Sequence, residues 1–371
     1  MHLKPFLLDQ WLSRHAKARF NLGGSTGPQW TLAELLQLEG GDAQQRLLES
    51  PVVYGLSAGD TALRDAVAEM RGVPPEEVII VSGGAEALLL VFCVAAERGT
   101  NVVVPFPGFP PYHVLPESFG VDVRTYQMRR ENGFRIDLDE VRALVDGNTR
   151  ILLVNSPHNP TGSTLTDDEM RALHDLAVER NVQFVSDEVF HPIYHGPESK
   201  SAAHLPRTTV IGDCSKAFAL SGLRIGWIIE RDAHRREEYV NAREYFSISN
   251  TTVGEFFAEI AVRHRDRVYG RTREVAATNL KGLEAVIAAN SDTLDWIRPQ
   301  GGMTAFVRLL GGANARPFCE AAAARGLLMT PGDCFGVPDH IRVGFGVGLD
   351  WFPQAMEELA LRLRSGQAAA V

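Results

Sequence analysis

Between Val78 and Ile229, short apolar runs alternate with helical stretches. Val78–Val81, Asn101–Val104, Val121–Tyr126, Ile151–Val154, Val182–Ser186, Thr209–Ile211 and Ile225–Ile229 are expected to be strands. Ile151–Val154 is apolar at every position, the pattern of a strand buried on both faces. Such strands separated by helices predict an α/β fold with a mostly parallel sheet covered by helices. Beyond the strands come a helix over Ala233 to Tyr245, an interruption at Phe246 to Thr252, and one long helical stretch to about Ala289. The order then changes. Trp296 to Phe306 reads as a hairpin-like strand pair, Ala315 to Arg325 as a helix, Leu327–Met329 and His340–Val343 as strands, and Phe352 to Leu363 as a closing helix. This order predicts a second, smaller α+β domain. We expect residues 46–284 to form the large domain and residues 1–45 with 285–371 the small one. Upstream, Phe6 to Leu12 suggests a short amphipathic helix, Asn21 to Pro28 a glycine-rich loop, and Thr61 to Arg71 a helix.

The chain has 371 residues and a formal net charge of −9, which argues against general affinity for nucleic acid. Its four cysteines show no metal-ligand spacing and read as reduced thiols of a cytoplasmic protein. No apolar run approaches the roughly 20 residues of a membrane span. Met1 to Phe6 lacks the features of a signal peptide, and the Ala-rich end from Gln367 to Val371 is expected to fray.

In sheets of this kind, ligands bind beyond the carboxyl ends of the strands. Several motifs fall there. Ser82-Gly83-Gly84-Ala85 joins a strand to a helix, and the unpaired amides of a helix N-terminus suit an anion. Pro105 to Tyr112 is a loop stiffened by proline that carries Phe109. Asn155-Ser156-Pro157-His158-Asn159-Pro160-Thr161-Gly162 brackets Asn159 between prolines. Asp187 and Glu188 follow a buried strand. With His191 and His195 they match no common metal motif, so no metal is expected. Lys216 lies between a strand and a glycine-rich apolar run. Burial would make its amine neutral and nucleophilic toward carbonyls. An isolated Ser-Lys is more often a surface lysine; the company of the other motifs favours a working amine. Arg224, eight positions on, is a fixed cation suited to a phosphate. Arg342 sits among apolar neighbours, where its fork can serve a structural ion pair or grip a carboxylate.

In this order the motifs resemble those of the pyridoxal-phosphate aminotransferases of class I/II, fold type I, the aspartate aminotransferase superfamily. The resemblance runs from Tyr54 to Arg342. It is most specific at Asn155 to Gly162, at Ser186-Asp187-Glu188-Val189, and at Ser215-Lys216 followed by Gly222-Leu223-Arg224-Ile225-Gly226. Within the superfamily the chain looks most like small bacterial members that include capreomycidine-synthase-type enzymes. The resemblance implies a seven-stranded sheet in the large domain and pyridoxal 5′-phosphate as cofactor. It implies that Lys216 forms the Schiff base and shuttles the proton, and that Asp187 pairs with the pyridine nitrogen. Asn159 would donate to the phenolic oxygen, and Phe109 would stack on the ring. Gly84, Ala85, Arg224 and Ser215 would hold the phosphate, with Tyr54 reaching it from a neighbouring subunit. Arg342, with Asn159 and Gly23, would bind the substrate. The family's substrates are amino acids and 2-oxo acids, its reaction is transamination, and its usual assembly is a homodimer with shared sites.

Two positions depart from the family pattern. Phe190 stands where many members have tyrosine, which removes a donor to the phenolic oxygen and implies a Schiff base that keeps its proton to higher pH. Asp213 stands where a serine commonly donates to the phosphate, so it must be screened by Arg224 or turn away. The resemblance also admits a lyase or cyclase of the same fold, and a regulatory module without catalysis. The side-chain pocket is expected from Asn21 to Ser25, Tyr112, Tyr245 to Asn250, and Met303. No second arginine for a dicarboxylate is evident in the sequence.

Overall fold

The computed structural model describes residues 3–364. The expected fraying of Gln367 to Val371 lies outside them. Seven strands form the large sheet: β1 (Val78–Val81), β2 (Asn101–Phe106), β3 (Asp122–Gln127), β4 (Thr149–Asn155), β5 (Gln183–Asp187), β6 (Thr208–Asp213) and β7 (Gly226–Ile229). Their spatial order is β1-β7-β6-β5-β4-β2-β3. Neighbours from β6 to β3 run parallel, and β7 runs antiparallel to both β1 and β6. The apolar runs foretold this sheet because both of its faces are covered. Ile79, Val102, Leu153, Val185 and Ile228 bury against one layer, packed with the helix Gly84–Val94. Their neighbours Ile80, Val103, Leu152, Phe184 and Trp227 bury against the other. Each such side chain stabilises the fold by roughly 1.5–3 kcal/mol through burial alone.

A smaller four-stranded antiparallel sheet takes Leu294–Trp296, Thr304–Leu309, Thr330–Pro331 and His340–Gly344. Phe20–Asn21 pairs in parallel with Leu327–Leu328, so the start of the chain is laced into its end.

Helices depart from expectation in three places. The stretch to Ala289 is two helices, Thr252–Arg263 and Arg265–Ala289, broken at His264. His264 leaves helical geometry and its Nε2 meets Glu39 Oε2 at 2.9 Å. Leu32–Glu39 and Ala43–Glu49 are helices, although this region carries no sustained apolar pattern. They bury one residue each, Leu35 and Ala43, so there is little periodicity to read. Pro111–Ser118 is helical despite Pro116 inside it. Among the described residues, no helix is long and apolar enough to cross a membrane.

Candidate active site

A cavity of about 360 Å³ opens at the carboxyl ends of β4, β5 and β6. Lys216 lies three residues past the end of β6 and reaches into it. Its Nζ donates to Ser25 Oγ at 3.0 Å. Burial lowers the pKa of this amine; Asp213 opposes that shift, Arg342 adds to it, and Asp187 opposes it again. The backbone there is fixed by Ala217 N–H donating to Val189 O at 3.3 Å and by Cys214 N–H to Ile225 O at 2.9 Å.

Asp187 ends β5 and is buried. Its Oδ2 accepts from the Tyr112 hydroxyl at 2.7 Å and its Oδ1 from Val189 N–H at 3.2 Å. Burial pushes its pKa up to about 7 against those two hydrogen bonds, with Asp213 and Glu188 adding to the rise. Glu188 is engaged elsewhere: it accepts from Ser201, from Ala202 N–H and from Ser186, and Arg71 lies 3.4 Å away. Asp187 and Glu188 therefore make no joint ligand set.

Asn155, at the end of β4, ties this floor together. Its side-chain amide donates to Asp187 O at 2.9 Å, and its Oδ1 accepts from Asn159 N–H at 2.9 Å. Asn159 Oδ1 accepts from Arg342 Nη1 at 3.1 Å, which leaves the Asn159 amide hydrogens for another acceptor. Arg342 Nη2 donates to Gly23 O at 2.5 Å, and its guanidinium lies over Phe335, 5.0 Å from the ring centre. Its Nε has no partner among the described residues. Burial alone draws its pKa down to about 10. No carboxylate pairs with it, so the structural ion pair considered from sequence is not formed. Gly23 has its own reason to be glycine: a Cβ would sit 2.7 Å from Leu12 Cδ2.

At the other end, Gly83 takes φ +83° and leads into the helix Gly84–Val94. This backbone conformation favours glycine, and a Cβ on Gly83 would lie 2.7 Å from Arg224 Nη2 and push the guanidinium aside. Arg224 donates to Ser82 O at 3.2 Å, to Ser221 O at 3.0 Å and to Ser215 Oγ at 3.4 Å. Asp213 does not turn away. Its Oδ2 accepts from Gly84 N–H at 3.4 Å, and its Oδ1 from Ser215 N–H at 2.9 Å and Lys216 N–H at 3.3 Å. Burial raises its pKa, and Lys216 opposes the rise.

The cavity thus gathers Lys216, Asp187, Gly84, Ala85, Phe109, Asn159, Ser215, Arg224 and Arg342, all singled out from sequence. Phe190 lines it with a bare ring. Gly23 reaches it through Arg342. Tyr54 stands apart, 81% exposed. Of the residues expected around the substrate side chain, Ser25 and Tyr112 line the cavity; Tyr245 to Asn250 and Met303 do not. Sequence reasoning missed Asn155, Phe6 and Asp9. A polar residue closing an apolar strand was the available signal for Asn155. Nothing local marks the other two.

The family model described as "aminotransferase class I and II" matches residues 42–359. The chain belongs to the class I and II aminotransferase family. It is 33% identical over 345 residues to capreomycidine synthase of Streptomyces vinaceus, covering 91% of this chain and 88% of that one. A PLP-dependent aminotransferase from Streptococcus suis superposes with a TM-score of 0.93 at 26% identity, over 98% of this chain and 99% of that one. The PLP-dependent cyclase OrfR superposes with a TM-score of 0.88 at 28% identity, over 98% of each chain.

The cofactor of this aminotransferase-family chain is pyridoxal 5′-phosphate, and the donor set fits it. An amine with a lowered pKa, a buried carboxylate, an arginine with helix N-terminal amides, and a flat aromatic line one cavity. The absence of a side chain at Gly83 leaves the Arg224 guanidinium its place at the phosphate end. Asp213 is the one misfit, since it already uses an amide there.

Proposed function

We propose that this protein is an aminotransferase that moves an amino group between an L-amino acid and a 2-oxo acid, with Lys216 as its working amine. The observation that carries the reading is the seating of Lys216. It is a half-buried amine, shifted below its ordinary pKa by desolvation, in one cavity with Asp187 and Arg342. Bound pyridoxal phosphate supplies an aldehyde for imine formation and a ring that takes up the electron pair left at the substrate's α-carbon. Lys216 would hold that aldehyde, and its Nζ would take the proton from the substrate's α-carbon and return it. The downward shift of its pKa by desolvation favours the neutral form that can accept a proton. Asp187 keeps the ring nitrogen protonated: a cation at its carboxylate reverses the upward shift that burial imposes. Tyr112 and Val189 N–H fix the direction of that carboxylate.

Arg224, Ser215 and the amides of Gly84 and Ala85 take the phosphate, and Phe109 stacks on the ring. Asn159 divides its amide: Oδ1 steadies Arg342, and the hydrogens are left for the phenolic oxygen. Arg342 grips the substrate carboxylate, with Gly23 O setting its orientation. Tyr54 serves the phosphate of a neighbouring subunit in a homodimer. Its exposure, with Val52 96% and Val53 64% exposed beside it, supports a covered surface there.

A second reading keeps every binding role and changes the outcome to elimination or ring closure at the β-carbon. The similarity to capreomycidine synthase and to a PLP-dependent cyclase favours it. Product analysis separates the two. Holoenzyme mixed with single L-amino acids is expected to lose the absorbance of the bound aldehyde, release a 2-oxo acid, and regain the absorbance when a second 2-oxo acid is added. Release of ammonia, or a cyclic product that keeps its α-amino group, decides for the second reading.

A further inference from the structure

The cavity has a roof that no site motif predicts. The helix Leu7–Arg14 lies across it and contributes Leu8, Asp9 and Leu12 to its lining, with Phe6 just ahead. This helix is pinned. Leu8 and Trp11 are buried, Trp11 Nε1 donates to Met329 O at 2.8 Å, and the Phe6 ring meets the Phe109 ring edge-on at 5.9 Å. Asp9 lies at the solvent-exposed rim of the cavity, on a helix whose buried side is fixed.

The charges of the cavity can be sorted by occupation. Its cations are Lys216, Arg224 and Arg342, and each has a role in the reading above. None remains for a carboxylate on the substrate's side chain. Its carboxylates are Asp9, Asp187 and Asp213. Tyr112 and Val189 N–H engage Asp187, and three backbone amides engage Asp213. Asp9 has no hydrogen bond or ion pair among the described residues. Lys4 is held by Glu117 at 2.5 Å, and Arg14, equally near in sequence, makes no ion pair with Asp9 among the described residues.

We propose that Asp9 is a specificity-determining residue that selects amino acids with a cationic side chain, a guanidinium or an ammonium group. The inference deepens the reading above and rests on it. Arg342 takes the α-carboxylate at the floor, and an extended side chain carries its cation to Asp9 at the roof. An aspartate or glutamate substrate would bring a like charge to the same place without a counterion from this chain. Asp9 in the first turn also suits the helix dipole. If that were its whole role, its removal would lower stability without changing substrate preference.

Dissociation constants of holoenzyme for L-arginine, L-lysine, L-citrulline and L-aspartate test the proposal, read from the perturbation of the bound cofactor's absorbance. Citrulline matters most, because it keeps the shape of arginine and loses the charge. Arginine or lysine is expected to bind at least tenfold more tightly than citrulline, about the strength of one charged hydrogen bond. The arm that binds more tightly identifies guanidinium or ammonium. Asp9→Asn is expected to bring the arginine-to-citrulline ratio near one, and Asp9→Glu to keep it. Thermal unfolding of both variants reports the helix-dipole role separately. Equal binding of arginine and citrulline by the wild type, or an unchanged ratio in Asp9→Asn, overturns the assignment. Such results leave the aminotransferase reading standing if alanine or leucine still reacts. A cofactor whose absorbance no amino acid perturbs overturns both.

Discussion

Asp187 and Asp213 are buried carboxylates that share a cavity with one amine, and their surroundings divide them. Asp187 answers to the hydroxyl of Tyr112, and its pKa of about 7 comes from burial. In the cofactor-free chain the folded state holds this proton more tightly than the unfolded state, whose ordinary value is 3.8. The stabilising effect of protonation is complete below 3.8 and is lost as pH rises to about 7. Asp187→Asn is expected to leave cofactor-free stability at pH 4 little changed and to raise it at pH 8, by up to about 4 kcal/mol. Urea unfolding at the two pH values measures this. Asp213 competes with phosphate for the Gly84 amide. Asp213→Ser is expected to tighten pyridoxal-phosphate binding by roughly tenfold, about the strength of one hydrogen bond, in an absorbance titration; weaker binding would mean the carboxylate assists. Lys216→Ala is expected to abolish both the absorbance of the covalently held cofactor and turnover. The gathering of these residues in one cavity was legible because they sit where apolar strands end: Asp187 at the end of β5, Lys216 after β6, Asn159 after β4. Asp9 was not legible, because apart from Ser25 the polar residues that share its cavity lie more than seventy residues away in sequence.

Among the elements, the strands were legible and several helices were not, for one physical reason. A strand buried on both faces must be apolar throughout, and Val78–Val81 can be read from four letters. A short surface helix that buries only Leu35 leaves no pattern. The helix Leu7–Arg14 is the element whose loss should act furthest. Trp11 is its anchor, 2% exposed and bonded to Met329 O. Trp11→Ala is expected to cost about 3 kcal/mol in urea unfolding. It should raise KM more than it lowers kcat, since the roof touches substrate and not the reacting atoms. An unchanged KM would detach this helix from the site.

At the scale of the whole molecule, the surface around Tyr54 is unlike a free surface. Val52, Val53, Leu56, Tyr245 and Phe246 are all half or more exposed. If Tyr54 serves a neighbouring subunit, sedimentation will give a dimer and Tyr54→Phe will weaken cofactor affinity by roughly tenfold. Mixing Tyr54→Phe with Lys216→Ala is then expected to restore tight binding and turnover in hybrids. Each hybrid has one site that draws Lys216 from one chain and Tyr54 from the other. Hybrids that stay as impaired as their parents would place Tyr54 outside the site.

The guanidinium at position 342 leans on a carbonyl at position 23 and an amide at position 159. The clamp is thus assembled from the first, middle and last parts of the polypeptide. On the ribosome, Asp9 and the Lys216 amine both emerge well before Arg342 does. A nascent chain stopped short of the final strand would carry the proposed selector and the proposed working amine without the proposed anchor for the substrate carboxylate, so that anchor is the last of the three to be made.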